Sequence, residues 1–246
     1  MIFNKLQEFH NCDCLLMMKE YPDKFFDLAV VDPPYGINVT KMSMGTNKTR
    51  KDNGYPGEST AQRIRKGRLN SGAGKLKTRA LNTLDCDWDF EKPSKEYFDE
   101  LFRVSKNQII FGGNYFELPP TRCWYIWDKI QPWENFSQAE LAWTSFDYPI
   151  KIFRYSNTGG RNLEKKINAT QKPIEVYVDI LKRFANKGDI ILDTHVGSAS
   201  SLIACHMLSY EYVGYEISES QYIEAKERLE NEKAQISFED FIGEHI

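Results

Sequence analysis

An acid, two prolines, an aromatic ring and a glycine follow one another in Asp32-Pro33-Pro34-Tyr35-Gly36, directly after the apolar run Leu28-Ala29-Val30-Val31. Asp32 precedes a proline and is pushed to an extended backbone, and Pro33 and Pro34 have a fixed φ and no N–H to donate. The corner is therefore stiff, and its carbonyls lack sequence-local partners. A carboxylate and a carbonyl held there can accept the two hydrogens of an NH₂ group on a flat ligand, while the Tyr35 ring stacks on its plane. A solvated proline turn would use Asp-Pro-Pro equally well. Tyr35 and Gly36, coming straight after a hydrophobic strand, favour a site.

The elements that must position this corner follow from periodicity. Phe26 to Val31 is bulky, partly β-branched and too short for a free-standing helix, so it reads as a buried strand. A second strand, Asp189 to Asp193, runs into Thr194-His195-Val196-Gly197-Ser198-Ala199-Ser200, a glycine turn feeding a helix, which is a nucleotide-binding arrangement. Nineteen residues beyond Gly197, the strand Tyr212-Val213-Gly214-Tyr215-Glu216 ends in an acid able to accept both hydroxyls of a ribose. Thr170-Gln171-Lys172-Pro173 leads into a helix through Val176, Ile180, Leu181 and Phe184. Thr170 or Gln171 is its expected cap, and its N–H groups favour an anion.

Elsewhere, a strand is expected from Ile2 to Asn11 and a short helix from Cys14 to Tyr21, capped by Asp13. A helix after Pro93-Ser94 reaches about Arg103. Strands follow at Gln108–Phe111 and Cys123–Trp127. Glu140 to Phe146 and Ile150 to Phe153 look like neighbouring strands joined by Asp147-Tyr148-Pro149. Ser218 to about Asn231 reads as an outer amphipathic helix whose charges form a solvated face.

With 246 residues and evenly spread apolar segments, one α/β domain is expected. No run approaches the roughly eighteen apolar residues of a membrane span, and no secretion signal opens the chain, so a soluble cytoplasmic protein is expected. The five cysteines are odd in number and without framework spacing, which suits reduced thiols. His10, Cys12 and Cys14 give three ligand types on one strand face but no second cluster, so no metal is expected. The net charge of −3 conceals a segregation. Lys41, Lys48, Arg50, Lys51, Arg63, Arg65, Lys66, Arg68, Lys75, Lys77 and Arg79 are opposed only by Asp52 and Glu58, within a long polar stretch from Asn38 to Leu84. Such a basic patch on a neutral body suits nucleic-acid phosphates.

Asp32-Pro33-Pro34-Tyr35, followed later by Thr170-Gln171-Lys172-Pro173 and last by the glycine turn with Glu216, resembles the permuted β-group of DNA amino-methyltransferases. The resemblance spans roughly residues 11 to 230. It is nearest phage-encoded members, through Arg103-Val104-Ser105-Lys106-Asn107-Gln108 running into Phe111-Gly112-Gly113-Asn114-Tyr115-Phe116. It implies a doubly wound, Rossmann-like sheet of seven strands with an antiparallel hairpin and a circularly permuted motif order. The domain would be single, with a basic DNA-contacting insertion at about residues 38–86.

The activity implied is transfer of a methyl group from S-adenosyl-L-methionine to the N6 amine of adenine in double-stranded DNA, after base flipping. Asp32, Pro33, Pro34 and Tyr35 would be catalytic. Asp13, Asp32, Thr170, Lys172, Pro173, Asp193, Thr194, His195, Val196, Gly197, Ser198 and Glu216 would hold the cofactor. Tyr35 and Phe136 would face the flipped base, and Lys41, Lys48, Arg50, Arg63, Arg65, Lys66 and Arg68 the DNA backbone. A homodimer is common in the group. Thr194, His195 and Ala199 replace the family's usual Pro, Phe and second Gly, and the lost glycine is expected to crowd the backbone near the methionine. The tetrad is shared with cytosine N4 enzymes, and the altered turn leaves a catalytically silent DNA-binding relative as the rival of another class. A protein-glutamine methylase is disfavoured because Asn usually stands where this chain has Asp32.

Overall fold

A computed structural model of the chain describes residues 6–37, 91–131, 137–156, 167 and 170–243. The chain divides into one compact unit of residues 1–35 and 92–246 and another of residues 36–91, and the fold below is that of the first. In chain order its elements are β1 (Gln7–Asn11), α1 (Cys14–Met18), β2 (Phe26–Val31), α2 (Lys95–Val104), β3 (Ser105–Phe111), a 3₁₀ turn at Gly113–Tyr115, β4 (Trp124–Asp128), β5 (Ala139–Thr144), β6 (Lys151–Arg154), α3 (Ile174–Phe184), β7 (Ile190–Asp193), α4 (Ser200–Met207), β8 (Glu211–Glu216) and α5 (Glu219–Gly243).

The strands form a single sheet in the order β1-β8-β7-β2-β3-β5-β4-β6. β1, β8, β7, β2 and β3 run parallel, β5 is antiparallel to both β3 and β4, and β6 is parallel to β4. Eight strands replace the expected seven, because Lys151–Arg154 pairs with β4 and extends the sheet by one edge strand. For the same reason β5 and β6 are not neighbours: β4 lies between them.

β2 is central, and its alternation divides the core. Leu28 and Val30 pack with Ile109, Ile191, Ile180 and Leu202 on the face covered by α3 and α4. Phe26, Ala29 and Val31 pack with Tyr97, Leu101, Ile110 and Leu192 on the face covered by α1 and α2. A strand buried on both sides reads as an unbroken apolar run, as this one does. The Ser94 hydroxyl caps α2 by accepting from Tyr97 N at 3.2 Å. At the helix's other end Arg103 donates to Glu100, Asp23 and the carbonyls of Tyr21 and Met18, tying α2 to the α1–β2 connection.

Two local expectations are corrected. α3 is capped at Pro173 without a side-chain hydrogen bond, so neither Thr170 nor Gln171 caps it. Gln171 instead accepts from Ile167 N at 3.0 Å. The charges of α5 are not all solvated: Arg228 is 8% exposed and donates to the carbonyl of Ser198 and, at 3.1 Å, to Ser200 Oγ.

Gly214 in β8 sits where a Cβ would lie 2.7 Å from Val196 Cγ2 and 2.8 Å from Leu202 Cδ1. Gly214→Ala therefore overpacks the contact between β8 and the turn, at a cost of about 1–3 kcal/mol. Urea unfolding is expected to give a lower midpoint at unchanged slope.

Candidate active site

Because β1, β8, β7, β2 and β3 are parallel, their C-terminal ends share one edge of the sheet. That edge carries Asp13, Glu216, Asp193, Asp32 and Gly112 in turn. Ligands of open α/β sheets bind outside such an edge, where the direction of chain progression reverses. Here it reverses at β2, with β7 on one side and β3 on the other. The antiparallel β5 brings its N-terminal end, with Glu140, to the same edge, and β4 brings Lys129 just past its C-terminus.

Asp32 directly follows β2, with about a quarter of its side chain exposed. Its Oδ1 accepts from Tyr35 Oη at 2.6 Å, and its Oδ2 accepts from the Lys172 ammonium. Lys172 is 5% exposed, lies over the Phe111 ring at 4.7 Å, and has Glu140 Oε2 at 3.1 Å. Glu140 Oε1 pairs with Lys129 Nζ at 2.6 Å. The result is an alternating chain of charge, Asp32, Lys172, Glu140, Lys129. Burial works against the charge on Lys172, but Asp32 and Glu140 outweigh it and hold the ammonium above its ordinary range. Burial likewise opposes the charge on Glu140, but Lys172 and Lys129 prevail and keep the carboxyl below its ordinary range.

The Tyr35 ring stacks on Tyr115 with centroids 5.0 Å apart and meets Phe116 edge-on. Gly112, at φ +65°, makes room for it: a Cβ there would lie 2.2 Å from Tyr35 Cε1. Burial, followed by the neighbouring Asp32 and Glu140, pushes the Tyr35 phenol well above its usual pKa, so it stays a donor.

Along the same edge, Glu216 accepts Gly197 N on Oε2 and Ser218 N on Oε1, both at 2.9 Å. Asp193 accepts His195 N at 2.9 Å and the Ser201 hydroxyl, so its carboxylate shapes the turn. Thr194 Oγ1 is 2.7 Å from Tyr97 Oη and 2.9 Å from His195 Nδ1. Ala199 keeps a glycine-like path: it adopts φ +64° with its methyl fully buried. The left-handed conformation costs an alanine about 1–2 kcal/mol. Ser200 Oγ donates to Lys172 O at 2.8 Å, joining the turn to the lysine beside Asp32.

Among the expected site residues, Asp32, Tyr35 and Lys172 are brought into contact. Asp193, Thr194, His195, Val196, Gly197, Ser198 and Glu216 form one connected turn beside them. Asp13 caps α1 by accepting Leu15 N at 2.8 Å. Thr170 is exposed, whereas Pro33 and Pro173 are buried. Phe136 and the basic residues Lys41, Lys48, Arg50, Arg63, Arg65, Lys66 and Arg68 lie outside the described residues. Sequence reading missed Glu140, Lys129, Tyr97, Tyr115, Gly112 and Arg228 as parts of the site. The Cys14 thiol is pushed up to about 12, first by burial and then by Asp13, which makes it a poor nucleophile.

The chain is similar to known DNA methyltransferases. A family described as DNA methylase matches residues 119–227. The type II methyltransferase M.HpaI of Haemophilus parainfluenzae is 36% identical over 85 residues, covering 34% of this chain and 27% of that protein. The type II methyltransferase M.BamHI of Bacillus amyloliquefaciens is 23% identical across 93% of this chain and 58% of that one. The chain thus spans less than two thirds of the length of either relative. Among solved structures, the M1.HpyAVI–SAM complex superposes with a TM-score of 0.51 at 17% identity, covering 90% of this chain and 98% of that one. PvuII DNA methyltransferase, described as cytosine-N4-specific, superposes with a TM-score of 0.52 at 11% identity, covering 93% and 91%. The chain shares the fold of these two structures.

The turn after β7 carries two opposed titrations. Asp193 is pushed up to about 7, first by burial and then by Asp32 and Glu216 against the bonds from Ser201 and His195, from an ordinary value of 3.8. Its native form binds more protons between those values, so its contribution to stability falls as pH rises from about 4 through 7. Burial pushes His195 down to about 4 from 6.5; its unfolded form binds more protons there, and its contribution rises with pH over that range. Asp193→Asn is therefore expected to gain stability relative to wild type as pH climbs from about 4 to 7. His195→Gln should lose it from about 4 to 6.5. Urea unfolding at several pH values reads both slopes.

Proposed function

We propose that this chain is a DNA amino-methyltransferase. It transfers a methyl group from S-adenosyl-L-methionine to the exocyclic N6 amine of adenine, after the base has been rotated out of the duplex. The observation that carries this reading is the state of Asp32, a carboxylate on a rigid corner at the sheet's switch point that already receives an ammonium on one oxygen and a hydroxyl on the other. An NH₂ group asks for the same acceptor.

The residues at the edge fit the donor. Each Glu216 oxygen receives a backbone N–H and retains a lone pair for a ribose hydroxyl. S-adenosylmethionine, when bound, supplies an electrophilic methyl group. Glu216 and the turn from Asp193 to Ser198 would hold it. The base amine is a weak nucleophile because its lone pair is delocalised into the ring. Hydrogen bonds from its N–H groups to Asp32 and to the Pro33 carbonyl draw the nitrogen toward a tetrahedral shape and free that pair. Asp32 also faces the proton that the nitrogen must shed. Positioning and fixed charge carry the catalysis, with no covalent enzyme intermediate.

Adenine is favoured over cytosine because the Asp-Pro-Pro-Tyr tetrad leans that way. Residues 38–86 act in this reading as an insertion within a single domain, with Lys41, Lys48, Arg50, Arg63, Arg65, Lys66 and Arg68 against DNA phosphates. Mapping modified bases in DNA from cells expressing the protein tests acceptor and context together. N4-methylcytosine in place of N6-methyladenine would reassign the acceptor, and an unmodified genome would leave the silent DNA-binding rival standing.

Asp32→Ala is expected to abolish methyl transfer while S-adenosylmethionine binding, read by calorimetry, persists; near-normal turnover would refute the assignment. Replacing Arg63, Arg65, Lys66 and Arg68 with Ala is expected to weaken DNA binding and flatten the slope of log K against log salt, by about 0.9 for each phosphate no longer neutralised. An unchanged slope would remove that segment from the interface.

A further inference from the structure

Glu140 belongs to none of the motifs that mark this chain, yet its carboxylate is built into the site. One oxygen, Oε1, is paired with Lys129. The other, Oε2, is shut off from solvent, and no donor among the described residues is aligned on it, although Lys172 Nζ is only 3.1 Å away. A buried carboxylate oxygen left without a hydrogen bond is costly, more so than a neutral acceptor in the same place. Lys172 leaves it so because its ammonium, although it carries three N–H groups, is turned toward Asp32 and only approaches Glu140. The ammonium thus stands between two acceptors, satisfying one and facing the other.

We propose that Lys172 is a positioning residue that holds on Asp32 the place of the incoming amine, and that Glu140 Oε2 is the acceptor to which its ammonium turns when the amine arrives. This rests on the methyl-transfer reading above and extends it. Without substrate, Lys172 holds the Asp32 carboxylate oriented. When the base amine reaches Asp32, Lys172 gives up that bond and completes the one to Glu140, with Lys129 fixing the far oxygen. No buried charge is left unpaired at either stage, so the exchange avoids the penalty of stripping a partner from a buried ion. Phe111, under the Lys172 ammonium at 4.7 Å, supports the cation through its ring face in both positions. Lys172 and Glu140 touch no reacting atom in this scheme; they act through Asp32.

The test is a double-mutant cycle on the full-length protein, with tritiated methyl transfer to DNA as the assay and circular dichroism confirming folding. Glu140→Gln keeps the shape and removes the charge that draws Lys172 away. Its kcat is expected to fall on the order of ten- to a hundredfold, with KM for DNA and affinity for S-adenosylmethionine changed by no more than about twofold. In a Lys172→Met background the competitor is gone, so adding Glu140→Gln is expected to cost nothing further. Equal and additive losses in the two backgrounds would overturn the proposal, as would a Glu140→Gln variant with wild-type kcat. Should Lys172→Met not fold, Lys172→Gln replaces it, and the separation of kcat from KM in Glu140→Gln decides alone. Wild-type protein that transfers no methyl group would instead overturn the reading beneath, and this proposal with it.

Discussion

The bond between the Lys172 ammonium and Asp32 is the constraint on which the site depends. Asp32 directly follows a strand buried on both faces, and its partly exposed carboxylate meets a buried cation whose own burial must be compensated. Lys172 reaches it from the segment before α3, and the sheet brings Glu140 and Lys129 to the same edge because β5 runs against its neighbours. Reversing a strand is what turns two residues of an unremarkable hairpin into the outer half of a charge chain. Had β5 been parallel, its other end, at Thr144, would have faced Asp32.

The tetrad at Asp32, the strand before it, the glycine turn and Glu216 were legible because each is local: a few adjacent residues define the backbone path and the chemistry together. The charge chain was not, since Asp32 and Lys172 are separated by 140 positions and Glu140 sits at the start of a strand that reads as ordinary amphipathic sequence. Gly112 was visible only as a turn residue, because its purpose is to admit the ring of a tyrosine far away in the chain. Arg228 escapes notice for a related reason. On a helix of alternating charges its spacing suits solvent, and nothing nearby tells that the carbonyl of Ser198 awaits it. The edge strand at Lys151–Arg154 was itself legible, from Ile150 to Phe153; the count of seven implied by the family resemblance was one short.

The glycine turn illustrates how a departure from a family's usual residues is absorbed. Ala199 takes the left-handed conformation that a glycine would adopt freely. Thr194 uses its hydroxyl to bond Tyr97 and the His195 ring, and Arg228 fastens the turn from the opposite side. Several modest contacts thereby hold a strained residue in place, as expected where a site's geometry is over-determined by its surroundings.

The pairing of β1 with β8 has a consequence for how the chain is made. Gln7 to Asn11 lie beside Tyr212 to Glu216, so the opening strand leaves the ribosome long before its partner exists. Arg228 emerges later still, and with it the last tie on the turn. Contacts so distant in sequence close slowly. The nascent protein consequently gains the pairing of β1 with β8, and the last tie on the glycine turn, only when synthesis has passed the first turns of α5.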